Sequence, residues 1–268
     1  MTSVGALFLG TAVTYTVAAA LYLTSLLRGP EGPARFASRV LMGAAGLHIA
    51  YLAVDTFGGT GAPMRGIEQT LTFLSLGIVM AFLLARLRGR GIDILGAFLT
   101  PVALLFLMGA GVGRSVGEVP HEIRSALLPF HIAVNMLGVV AFALAFGAAS
   151  AYVIQERMLR RKKLGGIFQR LPPLDVLDTF GLRAVSLGFP LLTLGILTGV
   201  FWVDPVEHFD ISPMHGFALA AWVLFAGVLL LRLAAGWRGR RAAIGTIMGF
   251  LCALGVLAGY VMRDSGIS

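Results

Sequence analysis

The chain has 268 residues, 57% of them hydrophobic and only 13% charged, with a mean hydropathy of +0.88. A water-soluble domain of this size must face solvent with much of its own exterior, so the composition excludes that class and leaves an integral membrane protein. The net charge of +8 does not imply nucleic acid, because Lys and Arg gather in the cytoplasmic loops of membrane proteins. The single cysteine, Cys252, excludes an internal disulfide framework or thiol relay.

A helix needs roughly 20 apolar residues to cross the hydrocarbon core. The first such run is 5–27, and the first basic residue, Arg28, follows it. A cleavable signal would place its basic residues before the apolar stretch, so this run is read as a membrane span. Further runs follow at 39–57, 66–85, 93–113, 129–155, 180–202, 213–233 and 242–262, with short connections. They predict a single all-α domain over residues 1–268, a polytopic bundle of eight transmembrane helices.

The second run holds His48 near mid-membrane. Polar groups at that depth face the bundle interior and are often functional; the plainer alternative is an interhelical hydrogen bond worth on the order of 1 kcal/mol. Glu68, at the start of the third run, reads as an interfacial residue. The odd-numbered loops hold sixteen Lys and Arg residues, against four in the even loops and the C-terminal segment. That bias predicts both termini outside the cytoplasm.

The fifth run opens on His131 in "LLPFHIAVNMLGVVAFALAFGAASAYVIQERMLRR" (127–161), with Asn135 one turn further along the same face. The basic segment 157–163 that ends it is either an anionic-lipid contact or the topology signal itself. In the sixth run Arg183 snorkels toward headgroups, and the G-x-x-x-G of Gly195 and Gly199 indicates helix packing without indicating function. Between the sixth and seventh runs comes the most polar break in the chain, "FWVDPVEHFDISPMHGFALAAW" (201–222), with His208 and His215 bracketed by Trp202 and Trp222.

By the predicted topology this break and His131 share the external face. Zinc wants three or four ligands and often Cys, which this region lacks. Haem iron needs one or two axial ligands and an apolar, aromatic wall, which Trp202, Phe209, Phe217 and Trp222 could supply. The plainer alternatives are interfacial anchoring for the tryptophans and solvated or hydrogen-bonded imidazoles at helix ends. No Walker loop, Rossmann glycine pattern or H-E-x-x-H appears.

The last third resembles the cytochrome c assembly protein family, the CcsA and HemX-like membrane proteins. "SPMHGFALAAW" (212–222) lies without a gap on the family's D-P-K-E-V-W-A-L-I-T-W stretch, and "LLLR" (229–232) falls in register with its L-H-L-R. "GVFW" (199–202) is similar to the G-x-x-W that opens the family's tryptophan-rich loop, and "YVIQERMLRR" (152–161) to its Y-L-x-Q-E-x-x-L. "GAPMRGIEQTLTFLS" (61–75) is a looser match. The family binds or moves haem and delivers it to apocytochrome c outside the membrane, using external histidines beside the tryptophan-rich loop.

The resemblance implies His131 as one axial ligand of haem iron. The chain departs from the family elsewhere. The inner loop tryptophans are missing, the D-P-K-E glutamate is His215, and the L-H-L-R histidine is Leu230. The second external histidine falls near "SGIS" (265–268), which has none. Either His215, or else His208, would then replace the missing ligand, with Trp202, Phe217 and Trp222 on the porphyrin and His48 a further candidate for haem contact, or the chain is a divergent member that no longer ligates haem. The implied function is haem delivery rather than self-contained catalysis. Apocytochrome c, other cytochrome c biogenesis membrane proteins and membrane lipid are the implied partners, and the bacterial inner (cytoplasmic) membrane the location. Two alternatives stay open: a HemX-like accessory protein of haem biosynthesis, and a small-molecule transporter, which predicts an internal repeat and broken helices.

Overall fold

The computed structural model describes residues 3–28, 32–58, 66–88, 91–112, 127–200 and 213–264. The elements among them are all helical: α1 (Ser3–Arg28), α2 (Gly32–Phe57), α3 (Ile67–Arg88), a 3-10 turn (Asp93–Leu95) leading into α4 (Gly96–Val112), α5 (Leu127–Arg160), the single turn α6 (Ile167–Arg170), α7 (Leu174–Val200), α8 (Pro213–Ala235) and α9 (Arg240–Asp264). Among the described residues eight helices are long and apolar enough to cross a membrane, as the hydropathy runs predict. Trp202 and His208 lie outside the described residues.

Two helices outrun their apolar stretches. α5 continues to Arg160 because Glu156 pairs with Arg160 one turn on and approaches Arg240 of α9 at 3.7 Å, so its polar last turn is held by charge rather than by apolar burial. It then closes with bonds from Lys163 N to Met158 O and from Lys162 N to Leu159 O, with Lys162 in the left-handed region at φ 55°. α7 begins at Leu174, before its apolar run, directly after Pro172 and Pro173, and Leu177 N bonds Pro173 O. Its early polar residue Asp178 is hidden by a partner on α8, which an apolar count does not register.

The packing repeats. In the first half α1 lies on α2 and α4, and α3 lies on α4 and α2; in the second, α5 lies on α7 and α9, and α8 lies on α9 and α7. α3 and α4 join the halves by resting on α5. Polar links tie the first half: Tyr15 Oη to His48 Nδ1 at 2.8 Å and Tyr22 Oη to Ser38 Oγ at 2.9 Å. Hydroxyls such as Thr11, Thr16 and Thr246 donate to the carbonyl four residues back, which satisfies them where water is absent.

Glycine lets α5 and α7 approach closely. Gly181, Gly188 and Gly195 recur at seven-residue intervals, and a Cβ at Gly188 would stand 2.8 Å from the Phe142 ring. From the other side a Cβ at Gly138 of α5 would come within 3.4 Å of the Leu192 backbone nitrogen. Small residues at such a seam allow backbone-to-backbone packing, the main source of helix association in lipid. α8 meets α7 through two polar clamps, Trp222 to Thr193 and Arg232 to Asp178, while Leu219, Val223, Leu230 and Leu233 turn outward.

Candidate functional site

His131 stands one turn into α5, half-buried against the last turn of α7. Its Nδ1 lies 2.9 Å from Thr198 Oγ1. The Thr198 hydroxyl lies 2.8 Å from Leu194 O and 3.0 Å from Gly195 O, both acceptors, so its hydrogen goes to the backbone and its oxygen accepts from Nδ1–H. On the other edge of the ring, Asn135 Nδ2 lies 2.9 Å from the His131 carbonyl, which fixes the amide's NH2 end there because a carbonyl only accepts. The same nitrogen is 3.2 Å from His131 Nε2, so Nε2 accepts.

Both neighbours therefore select one tautomer, protonated at Nδ1 with the lone pair on Nε2. This is the form in which an imidazole ligates a metal while its other nitrogen is held by a hydrogen bond. The floor beneath is glycine. A Cβ at Gly199 would stand 3.1 Å from His131 Cε1, and one at Gly195 would overlap the Asn135 carboxamide. The G-x-x-x-G that sequence reading assigned to packing alone is thus the surface on which these two polar side chains lie. Thr198 was not singled out, yet "GILTG" carried the signal: a hydroxyl beside two small residues marks a place where another helix can dock a polar group.

α8 brings His215 to the same level. Phe142 of α5 stacks on Phe225 of α8 with centroids 3.7 Å apart. His131 precedes Phe142 by eleven residues and His215 precedes Phe225 by ten on helices running in the same sense, so both imidazoles stand roughly 15–17 Å along the helix axes from that stack. His215 is exposed. Trp222, two turns below it on the same α8 face, donates from Nε1 to Thr193 Oγ1 at 3.0 Å and lies against Phe189, centroids 5.6 Å apart. Phe217, 45% exposed, rests on Gly255 of α9, where a Cβ would come within 3.0 Å of its ring.

His48 belongs to the other half. It is fully buried, its Nδ1 meets Tyr15 Oη, and its ring packs edge-on to Tyr15 with centroids 5.4 Å apart. The structure pairs it with α1 rather than with His131. Its Nε2 is buried without a hydrogen-bond partner among the described residues.

At the opposite end of the second half is a feature sequence reading missed. Arg232 holds Asp178 bidentately, Nη1 to Oδ1 at 2.9 Å and Nη2 to Oδ2 at 2.6 Å, with the Gly239 backbone N–H adding to Oδ1 at 3.4 Å. A cleft of about 290 Å³ opens beside it, lined by Tyr152, Leu174, Asp175, Asp178, Arg238 and Gly239. No sequence proximity joins Asp178 to Arg232; only the packing of α7 on α8 does.

Among the described residues no three His, Cys, Asp or Glu side chains gather as a metal-binding group, so a tetrahedral zinc site finds no ligand set there. The nitrogen donors that the described residues offer at this end are His131, with its Nε2 lone pair, and His215 at the same level along the helix axes, and one or two such donors are what a macrocyclic iron asks of a protein.

Comparisons with known proteins identify the family. The family described as Cytochrome C assembly protein matches residues 64–262. The Cytochrome c biogenesis protein CcsA of Rippkaea orientalis is 28% identical, over 80% of this chain and 84% of that one. The protein of the same name from Trichormus variabilis is also 28% identical, over 89% of this chain and 92% of its own. Among solved structures, Cytochrome c Heme Lyase CcmF shares the fold, with a TM-score of 0.70 at 16% identity over 100% of this chain; the chain spans half of CcmF, 50% of its length. The residues matched, from the start of α3 to the end of α9, place this chain in the cytochrome c assembly protein family.

Proposed function

We propose that this chain is a haem-handling membrane protein of cytochrome c biogenesis that holds haem at the membrane face occupied by His131, which the Lys and Arg bias assigns to the outside. The observation that supports it best is the setting of His131: an imidazole at a helix end, held between α5 and α7 in the tautomer whose Nε2 carries the lone pair. His131 is one axial ligand and His215 the second, His208 being the nearest substitute in sequence. Trp222, on the α8 face that carries His215, lines the porphyrin, with Trp202 proposed for the same wall, whereas Phe217 lies on the opposite face of α8, toward α9. His48 and Tyr15 form an interhelical link in the first half, outside this site.

Haem is cargo here, delivered to apocytochrome c, whose cysteine thiols add to the vinyl groups. This chain's one cysteine, Cys252, lies within α9, so the thiols come from a partner. Other biogenesis membrane proteins complete the assembly, in the bacterial cytoplasmic membrane. The named relatives favour this reading over an accessory protein of haem synthesis or a transporter.

Titration of the purified chain with ferric haem tests it. A low-spin Soret spectrum with two nitrogen ligands is expected, abolished by His131→Ala and converted to a high-spin form by His215→Ala. A protein that stays colourless, or a spectrum indifferent to both substitutions, overturns it.

A further inference from the structure

We propose that Asn135 is an exchangeable cap on His131 Nε2, and that Thr198 is the residue that decides which ring nitrogen carries the proton. The inference rests on the reading of His131 as an iron ligand. The Asn135 carboxamide spans two acceptors of one residue, the His131 carbonyl and the His131 Nε2, through a single NH2 group. The bond to the carbonyl is the shorter of the two, 2.9 Å against 3.2 Å, so the amide keeps an anchor when the ring bond breaks. A metal held at Nε2 would replace one N–H donor, while the carboxamide would keep its tether to the His131 carbonyl.

Thr198 acts from the other edge. Its hydroxyl hydrogen is committed to the α7 backbone, so it presents only lone pairs to Nδ1 and stabilises Nδ1–H. The Gly195 carbonyl also accepts from the ring, so loss of the Thr198 oxygen weakens the preference for Nδ1–H and lets part of the population place its proton on Nε2, the nitrogen a metal needs bare. The α7 glycines complete the device. Gly195 leaves the volume the carboxamide occupies, and Gly199 lets the ring lie close to Thr198. An ordinary interhelical hydrogen bond would require the Thr198 contact alone. It would not account for a donor placed on the second ring nitrogen from the same helix, over a glycine whose Cβ the carboxamide would meet.

The experiment uses the full chain in lipid nanodiscs, labelled with 15N-histidine, and reads the His131 ring-nitrogen shifts without haem before adding it. Wild type is expected as a single Nδ1–H tautomer. Thr198→Ser retains it, and Thr198→Val yields a mixture with Nε2–H. Asn135→Ala and the isosteric Asn135→Leu keep the tautomer but bind ferric haem roughly three- to tenfold more tightly, since one net hydrogen bond no longer competes. Thr198→Val weakens haem binding by about tenfold or more, as loss of an orienting partner does at metal sites.

An unchanged tautomer in Thr198→Val overturns the role of Thr198. Haem affinity that is equal or lower in both folded Asn135 variants overturns the cap. Wild-type haem binding indifferent to His131→Ala fails the underlying reading instead; the displacement then falls with it, while the ligand-free shifts still report whether Thr198 selects the tautomer.

Discussion

Phe142 of α5 and Phe225 of α8 stack face to face, with ring centroids 3.7 Å apart and planes 5° from parallel. Both rings are fully buried, and Phe142 also fills the hollow above Gly188 of α7 while Phe225 fills that above Gly249 of α9. One aromatic pair therefore links all four helices of the second half and sets the relative height of α5 and α8. Removing it lets α8 slide against α5, and with it His215 against His131. Phe225→Ala is expected to destabilise the fold by about 3–5 kcal/mol, the usual cost of emptying a buried phenylalanine site. It also shifts the haem spectrum toward a single nitrogen ligand, whereas Phe225→Leu keeps most of both. Thermal unfolding in detergent, read beside the Soret band, checks this.

Two glycines near the same membrane end separate packing from propensity. Alanine is intrinsically favoured over glycine in a helix by about 1 kcal/mol. At Gly216 of α8 nothing among the described residues lies within 4 Å of the added methyl, so Gly216→Ala is expected to be neutral or stabilising. At Gly195 the methyl meets the Asn135 carboxamide, so Gly195→Ala displaces it, lowers the melting temperature and disturbs the His131 ring shifts. Opposite signs for the two variants are the result to look for.

Tyr15→Phe removes the hydroxyl that meets His48 Nδ1 and leaves that ring buried with both nitrogens lacking this partner. A loss of roughly 1–3 kcal/mol is expected, the cost of leaving a buried polar group unsatisfied. The haem spectrum of Tyr15→Phe is expected to match wild type, because the link belongs to the first half of the bundle. A changed spectrum would place His48 at the haem after all.

The Asp178–Arg232 pair is enclosed, with side-chain exposures of 14% and 12%. Breaking it by Asp178→Asn strands a buried guanidinium, at an expected cost of about 3–5 kcal/mol. Replacing both partners, as Asp178→Leu with Arg232→Met, recovers most of that, because the desolvation of two charges is relieved together. Unfolding midpoints of the three proteins test the sign, and added salt should change them little, since an enclosed pair is weakly screened.

Much of this arrangement was legible in the linear sequence, for definite reasons. Membrane spans are long apolar runs, so the helices and their order could be read directly, and His131 and Asn135 share a face by arithmetic alone. What escaped depended on a second helix. The ends of α5 and α7 were missed because Glu156 and Asp178 are neutralised by other side chains, Arg160 one turn on and Arg240 of α9 for the one, Arg232 of α8 for the other. Thr198 was passed over because a lone threonine in an apolar run looks like any other until a neighbouring imidazole arrives. Gly195 and Gly199 were seen but underrated, since what a glycine admits is decided by the side chain opposite. His48 was read as facing the bundle interior, where it lies fully buried, but Tyr15, 33 residues away in sequence, could not be named as its partner.

If the His131 imidazole ligates haem iron, free imidazole restores that ligand once the side chain is removed. Ferric haem is bound to His131→Gly, and the electron paramagnetic resonance spectrum is recorded before and after adding free imidazole. The account predicts that the wild-type low-spin signal is lost in the variant and returns with imidazole, which enters the vacated place over Gly199. A low-spin signal that survives His131→Gly unchanged, without imidazole, would contradict it.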